Sequence, residues 1–138
     1  MSELQDLVRT HYDGFQTGDL DAAMSVFDPD VETQTPNGAM KGIDEFRALN
    51  QAFLTAAPDQ RLEVLRTFED GDTIIVEGTY SGTQTGQLVG PHSTIPATGK
   101  AFSFPYADIL QVRDGKVISH RIYWDNATFL AQLGVLPG

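Results

Sequence analysis

The period of the hydrophobic pattern changes near Arg61, and this change constrains the fold more than any other feature of the sequence. Before Pro58, apolar residues recur every three or four positions, as they do along one face of an α-helix. From Arg61 onward they alternate with polar residues, which is typical of half-buried β-strands. Helices followed by strands predict an α+β protein, whose helices lie on one face of a curved antiparallel sheet.

Three helices are predicted in the N-terminal half. Ser2 begins a capping-box pattern for the first helix, and Asp19 can cap a short second helix. A third helix runs from about Ile43 until Pro58 ends it, and a strand at 31–35 separates it from the second. The first helix carries one apolar stripe, formed by Leu4, Leu7, Val8, Tyr12 and Phe15.

Four strands joined as two hairpins are predicted in the C-terminal half. Turns at Asp70-Gly71 and at 113–115 connect the strands, and a long loop rich in Gly, Pro and Thr spans residues 82–100. Asp125 can cap a last short helix. Because the strands carry bulky inward residues, we expect the sheet to curve around the first helix and to leave a cone-shaped cavity.

Length and charge exclude several classes of protein. The 138 residues are about enough for one domain, so we expect a single domain over 1–138. Nineteen acidic against nine basic residues give a net charge of −10, which would repel nucleic acid. No stretch approaches the roughly 18 apolar residues of a membrane span, and residues 1–10 lack the apolar core of a signal peptide. We therefore expect a cytoplasmic protein that binds neither membranes nor nucleic acid.

The sequence offers few ligands for a metal or a cofactor. It has no cysteine, which excludes a thiolate nucleophile and a zinc–thiolate site. Its three histidines lack the spacing of a metal site; we expect His11 at the margin of the helix stripe and His92 exposed in the loop. No glycine-rich loop opens a helix after a strand, so a phosphate cradle is not expected. The prediction is a protein that works without metal or cofactor.

The turn at 113–115 decides which side chains share a face of the sheet. A three-residue turn places Asp108 opposite His120, whereas a two-residue turn would place Arg121 opposite Asp108. We prefer the three-residue turn because it gathers the aromatic side chains on the concave face. The same register pairs Tyr106 with Ile122, and Phe104 with Trp124.

Asp108 and His120 are the predicted acid–base pair. A carboxylate beside an imidazole in an apolar cavity can transfer protons to and from a substrate. Tyr12, on the inward stripe of the first helix, could offer its phenol to a carbonyl oxygen. The alternative is structural, because buried ion pairs and buried tyrosine hydroxyls often satisfy each other or the backbone.

The wall of the predicted cavity is aromatic, which favours a flat, largely apolar carbonyl compound as the ligand. The residues expected to bind this substrate are Phe15, Phe104, Tyr106, Ile122 and Trp124.

Five short segments carry a resemblance to a known family. They are Pro58-Asp59, 82–86 (GTQTG), 96–100 (PATGK), 114–117 (DGKV) and 132–137 (QLGVLP). In this order, over nearly the whole chain, they resemble the SnoaL-like polyketide cyclase (ester cyclase) group of the nuclear-transport-factor-2-like superfamily. The resemblance implies a cone-shaped α+β barrel with a deep pocket for an apolar small molecule. It also implies ring closure by acid–base aldol chemistry without a metal.

The resemblance further implies a homodimer. Residues that favour β-strands on the outer face of the sheet agree with this, because a partner could cover them. They are Ile109, Gln111, Ser119, Arg121 and Tyr123.

The chain departs from the cyclase pattern at three positions. Gln34 and Gln84 stand where these cyclases carry His, and Ile122 stands at their acid–base Asp. Three functions therefore stay open. The first is a cofactor-independent acid–base enzyme, a cyclase or isomerase of an apolar carbonyl substrate. The second is a non-catalytic binding module for an apolar metabolite or a partner, and the third is a hydratase or an epoxide hydrolase-like enzyme.

Overall fold

A computed structural model describes residues 2–90 and 93–135, so His92 lies outside the described residues. The helices are α1 (Glu3–Thr17), α2 (Leu20–Met24), α3 (Ile43–Ala56) and α4 (Asn126–Leu133). The strands are β1 (Phe27–Thr35), β2 (Gly38–Lys41), β3 (Arg61–Asp70), β4 (Thr73–Thr83), β5 (Leu88–Val89), β6 (Thr94–Ile95), β7 (Ala101–Arg113) and β8 (Lys116–Trp124).

The helix ends follow the predicted capping signals. The Ser2 hydroxyl accepts a hydrogen bond from the backbone N–H of Gln5 at 3.0 Å, and the Gln5 side chain accepts one from the Ser2 N–H at 3.4 Å. This reciprocal pair is the predicted capping box. Asp19 and Asp125 cap α2 and α4, each through a side chain that accepts one hydrogen bond from the backbone N–H three residues on.

Six strands form one curved sheet in the order β2-β1-β8-β7-β4-β3. Its neighbours are antiparallel except for β1 and β8, which run parallel. The predicted α+β class with a curved antiparallel sheet is confirmed, and the parallel pair of β1 and β8 is the exception within it. The loop at 82–100, expected to be irregular, contains the small hairpin of β5 and β6.

The turn between β7 and β8 has two residues instead of the predicted three. Arg113 pairs with Lys116, and both residues between them have positive φ angles, 52° at Asp114 and 77° at Gly115. Two successive positive φ angles are typical of a type I′ turn, whose twist matches that of the flanking strands.

Ile118 is an extra residue in β8 and forms a bulge. Beyond this bulge, each side chain of β8 lies on the face of the sheet that the sequence predicted. The turn shifts the pairing by one residue and the bulge shifts it by one more, so the predicted pairs are wrong by two residues. Asp108 pairs with Ile122 instead of His120, and Arg121 lies opposite Ile109. An even shift preserves the face, so Asp108 and His120 still share the concave side. The same shift pairs Trp124 with Tyr106 instead of Phe104, and Tyr106 no longer pairs with Ile122.

The concave face of the sheet packs against α1 and α3, and the main core lies between them. Alternate residues of β7 point into it, which follows from the two-residue period of a strand. The opposite face carries exposed apolar side chains, among them Phe68 and Tyr123. None of the helices in the described ranges is long and apolar enough to cross a membrane.

Candidate active site

A cavity of about 80 Å³ lies between α1, α3 and the concave face of the sheet. Its wall combines buried polar side chains with half-buried apolar side chains such as Leu49, Phe53 and Trp124. All eight residues that the sequence assigned to the site line this cavity. They are Tyr12, Phe15, Phe104, Tyr106, Asp108, His120, Ile122 and Trp124.

Asp108, Tyr12 and His120 meet in the wall of the cavity. They come from β7, α1 and β8, and each is at least nine-tenths buried. The Tyr12 hydroxyl donates a short hydrogen bond to Oδ2 of Asp108. Nε2 of His120 lies 3.5 Å from the same oxygen. The predicted proximity of Asp108 and His120 is therefore confirmed, while their part in catalysis stays a prediction.

Several buried polar atoms near this cluster make no hydrogen bond with any described residue. They are Asp108 Oδ1, both ring nitrogens of His120, the Tyr106 hydroxyl and Thr33 Oγ1. Thr33 is the cross-strand neighbour of His120 in β1. Each unpaired buried group costs about 1–3 kcal/mol of stability. Asp108, His120 and Tyr106 line the cavity, whereas Thr33 does not. Unpaired polar groups in the wall of an apolar cavity are typical of a ligand-binding site.

The Tyr12 hydroxyl has one proton, and in this structure it donates that proton in a hydrogen bond to Asp108. Burial and the negative charge of Asp108 raise the pKa of Tyr12 well above its usual value, so the phenol stays protonated and acts as a donor. The sequence left open whether this hydroxyl faces a substrate carbonyl or a partner within the protein. In the structure it donates to Asp108, and its part in catalysis stays a prediction.

His11 is a site residue that the sequence-based assignment missed. It lines the cavity and is only 3% exposed, whereas it was expected at the margin of the helix stripe. Its Nδ1 lies 2.9 Å from the backbone oxygen of Ala23, and a carbonyl oxygen only accepts, so Nδ1 carries the proton. Burial, helped by the nearby His120, lowers the pKa of His11 to about 4. His11 is therefore neutral at physiological pH.

The position of His11 depends on the close contact between α1 and α2. A Cβ atom at Gly14 would lie 2.5 Å from the backbone nitrogen of Ala23, so only glycine lets α2 approach this closely. That approach brings the Ala23 carbonyl to His11. Helical spacing along α1 contains no signal for a contact with the next helix.

Helix α3 also contributes side chains that the sequence did not assign to the site, namely Phe46, Leu49, Asn50 and Phe53. The Asn50 amide donates to the backbone oxygen of Phe46 at 2.8 Å within the same helix. The α3 stripe of Phe46, Leu49 and Phe53 could be read from the sequence, but not which cavity it faces.

Tyr80 also lines the cavity, but it presents only its ring. Its hydroxyl donates to the Gln60 side chain at 2.6 Å, and Gln60 donates in turn to the backbone oxygen of Phe15 at 3.0 Å. This chain of hydrogen bonds satisfies the Tyr80 hydroxyl without a ligand.

Comparison with known proteins agrees with this architecture. The sequence pattern of the SnoaL-like polyketide cyclases matches residues 5–133. The chain belongs to this family. Among curated relatives, it is 29% identical over 143 residues to the aklanonic acid methyl ester cyclase DnrD of Streptomyces peucetius, covering 97% of this chain and 92% of that protein.

Two solved structures illustrate the similarity of fold to other members of the superfamily. TsrD of Streptomyces laurentii has a TM-score of 0.84 and 27% identity, covering 97% of this chain and 96% of that one. AclR of Streptomyces galilaeus, described as a putative hydroxylase, has a TM-score of 0.82 and 25% identity, covering 97% of this chain and 82% of that one. One fold thus carries proteins described by different reactions.

The three departures from the SnoaL-like cyclase pattern lie in different surroundings. Gln34 is exposed on β1 and does not line the cavity, whereas Ile122 does. Gln84 is fully buried, and its hydrogen bonds join two parts of the loop at 82–100. Its amide nitrogen donates to the backbone oxygen of Pro96 at 3.1 Å, and its oxygen accepts from Thr98. Only Ile122 therefore changes the chemistry of the cavity wall directly.

The ionisable side chains of the cavity are one carboxylate, two imidazoles and three phenols. Within the two ranges that the structure describes, no three His, Asp or Glu side chains are arranged to hold a metal ion. Groups of this kind are suited to transferring protons and to donating hydrogen bonds.

Proposed function

We propose that this SnoaL-like protein is a cofactor-independent acid–base enzyme that cyclises or isomerises an apolar carbonyl compound. The observation that carries the proposal is Oδ1 of Asp108, a buried carboxylate oxygen without a partner among the described residues, which lines an aromatic cavity. The Tyr12 hydroxyl donates a hydrogen bond to the other oxygen of the same carboxylate, and Nε2 of His120 lies 3.5 Å from that oxygen. This arrangement leaves one oriented oxygen for a substrate proton.

In the proposed reaction, Asp108 removes a proton from the carbon next to a substrate carbonyl, and the electron pair moves to the carbonyl oxygen. For cyclisation, the resulting enolate carbon attacks a second carbonyl of the same molecule and forms a carbon–carbon bond. The new alkoxide then takes the proton back from Asp108. For isomerisation, the proton returns to a different carbon. A positioned general base of this kind contributes about 10²–10⁴ in rate.

His120 is the second candidate for the base. Both of its ring nitrogens lack a partner within the described chain, and the residue lines the cavity. Asp108 is the better candidate because Tyr12 fixes its orientation, whereas no hydrogen bond among the described residues fixes the ring of His120.

A non-catalytic binding module is the alternative, and Ile122 is the observation that favours it. This residue lines the cavity at the position where the resemblance places the acid–base aspartate of the cyclases. An apolar side chain there weakens the case for the standard cyclase reaction. Asp108 pairs with Ile122 across β7 and β8, so the carboxylate of the neighbouring strand could supply the missing function.

We further propose that two copies of the chain associate through the outer face of the sheet. Phe68, Ile75 and Ile109 lie in one cross-strand row of this face, and Tyr123 lies near them on β8. Phe68 and Tyr123 are 54% and 51% exposed. A row of apolar side chains on a sheet face supports a partner that covers it.

The test of the acid–base function is the variant Asp108→Asn, which keeps the shape of the side chain and removes the base. Aklanonic acid methyl ester, the compound named for the curated relatives, is the first substrate to try. We expect turnover to fall by about 10²–10⁴ with little change in affinity.

Trp124, the only tryptophan, lines the cavity, so its fluorescence reports the binding of a ligand independently of turnover. Binding without turnover by the unmodified protein, for a series of such carbonyl compounds, would favour the binding module.

A further inference from the structure

Two tyrosine hydroxyls lie near Asp108, but they differ in what they can do. The Tyr12 hydroxyl already donates its proton to Asp108. The Tyr106 hydroxyl is buried close enough to the Tyr12 hydroxyl to influence its pKa, but it does not meet the geometry of a hydrogen bond with any residue that the structure describes. Both tyrosines line the same cavity. Tyr106 is therefore the tyrosine of this pair whose hydroxyl proton is not already donated to Asp108.

The place of the Tyr106 hydroxyl is set by the backbone of the neighbouring strands. Tyr106 pairs with Gly78 of β4, and a Cβ atom at Gly78 would lie 2.7 Å from the Tyr106 hydroxyl oxygen. The same Cβ would collide with the backbone oxygen of Glu63 in β3. Glycine at position 78 therefore leaves the space in which the phenol lies. The ring of Tyr12 packs edge-on against that of Tyr106, with centroids 6.1 Å apart.

Tyr106 and Asp108 are two residues apart on β7, so their side chains point to the same face. Burial raises the pKa of the Tyr106 phenol above its usual value, which keeps the hydroxyl protonated. A protonated phenol thus lies in the same cavity as the free carboxylate oxygen. A carbonyl compound whose α-carbon approaches that oxygen would present its own oxygen to a nearby donor.

We propose that Tyr106 donates a hydrogen bond to the substrate's carbonyl oxygen and stabilises the negative charge that develops there, and that Tyr12 is a positioning residue for Asp108. The inference rests on the proposed acid–base function. As Asp108 takes the proton from the α-carbon, the electron pair moves to the carbonyl oxygen, and Tyr106 keeps its own proton throughout. The ligand class is an enolisable carbonyl compound or a phenolate of similar shape.

The first test measures turnover by Tyr106→Phe, with Tyr123→Phe as the matched control on the outer face of the sheet. We expect kcat to fall by about 10²–10³ in Tyr106→Phe, as for other oxyanion donors, with KM little changed. The control should retain full activity. The melting temperature of Tyr106→Phe should stay the same or rise, because the substitution removes a buried group that has no partner among the described residues. Full kcat in Tyr106→Phe would overturn the inference while leaving the role of Asp108 intact.

The second test measures oxyanion binding without turnover. The probe is 4-nitrophenol, whose ionised form absorbs near 400 nm, and the background is Asp108→Asn, which removes the competing negative charge. We expect the double variant Asp108→Asn/Tyr106→Phe to bind nitrophenolate at least about tenfold more weakly than Asp108→Asn, as expected when a hydrogen bond to a charged group is lost. Asp108→Asn/Tyr123→Phe should bind it as Asp108→Asn does.

These tests separate the inference from the proposed function. Tyr106-dependent nitrophenolate binding in a protein that turns over no carbonyl compound would support Tyr106 as the oxyanion donor and count against the enzyme. Equal nitrophenolate binding with and without the Tyr106 hydroxyl would overturn the inference. Loss of nitrophenolate binding in Asp108→Asn/Tyr12→Phe, but not in Asp108→Asn/Tyr106→Phe, would also overturn it, because Tyr12 would then be the donor.

Discussion

Nε2 of His120 lies 3.5 Å from Oδ2 of Asp108, although the two residues are not partners across the strands. Asp108 pairs with Ile122, and His120 pairs with Leu110, so the imidazole reaches the carboxylate diagonally. Tyr12 donates to the same oxygen, whereas the other oxygen of Asp108 has no hydrogen-bond partner among the described residues. The two oxygens of one carboxylate thus have different surroundings.

Tyr12→Phe should lower turnover by releasing Asp108. The hydroxyl is the hydrogen-bond donor that fixes the carboxylate, so its loss should reduce kcat about tenfold or more, with KM little changed. The free energy of unfolding should fall by about 1.5–3 kcal/mol, the usual range for a hydrogen bond to a charged group. Steady-state kinetics and urea unfolding measure the two effects. Undiminished kcat would show that the orientation of Asp108 does not depend on Tyr12.

The burial of neutral His11 should make the protein less stable at mildly acidic pH, because the imidazole is protonated more readily in the unfolded chain. Its pKa is about 4 in the folded state and about 6.5 when the chain is unfolded. Between these values the unfolded state binds more protons, so this contribution is complete above pH 6.5 and is lost as the pH falls towards 4. At pH 5 the loss amounts to about 2 kcal/mol.

His11→Gln is the control for this pH dependence, because it removes the titration and leaves an amide that can donate to Ala23. The difference in unfolding free energy between the unmodified protein and His11→Gln should shrink by about 2 kcal/mol between pH 7 and pH 5. Groups that titrate alike in both proteins cancel in the comparison. Parallel pH curves for the two proteins would contradict the assignment of His11 as the buried neutral group.

Gly14→Ala should destabilise the protein even though it improves helix propensity. Propensity alone would favour alanine in α1 by about 1 kcal/mol. The new Cβ would lie 2.5 Å from the backbone nitrogen of Ala23, and a backbone atom cannot move aside as a flexible side chain can. We expect a net loss of about 1–3 kcal/mol, as for other overpacked sites. A rise in stability by urea unfolding would show that α1 and α2 are not in close contact.

Tyr123→Glu should dissociate the proposed dimer. The substitution places a charge on the exposed outer face of the sheet, where burial against a second copy would be costly. Sedimentation at micromolar concentration should show a dimer for the unmodified protein and a monomer for the variant. Val89→Glu is the matched control, because Val89 is 53% exposed but belongs to the separate two-stranded sheet. A monomeric unmodified protein would rule out this interface.

The sequence determined the parts of the fold that depend on local interactions. Capping residues placed the ends of α1, α2 and α4, because a cap involves groups only a few residues apart. The two-residue period placed Asp108 on the buried face of β7. His120 was assigned to the correct face although its strand partner was wrong, since an even shift in register leaves each facing unchanged.

The way in which these elements meet depends on contacts between distant parts of the chain. The bulge at Ile118 has no local signal, and it sets the diagonal approach of His120 to Asp108. The burial of His11 depends on the packing of α2 against Gly14, which helical spacing along α1 does not contain. The Tyr12 hydroxyl donates a hydrogen bond to Asp108 because α1 and β7 meet in the fold, although the two residues are 96 positions apart in the sequence. Such contacts are set by the packing of the whole core, so a pattern read along one segment predicts the facing of a residue but not its partner.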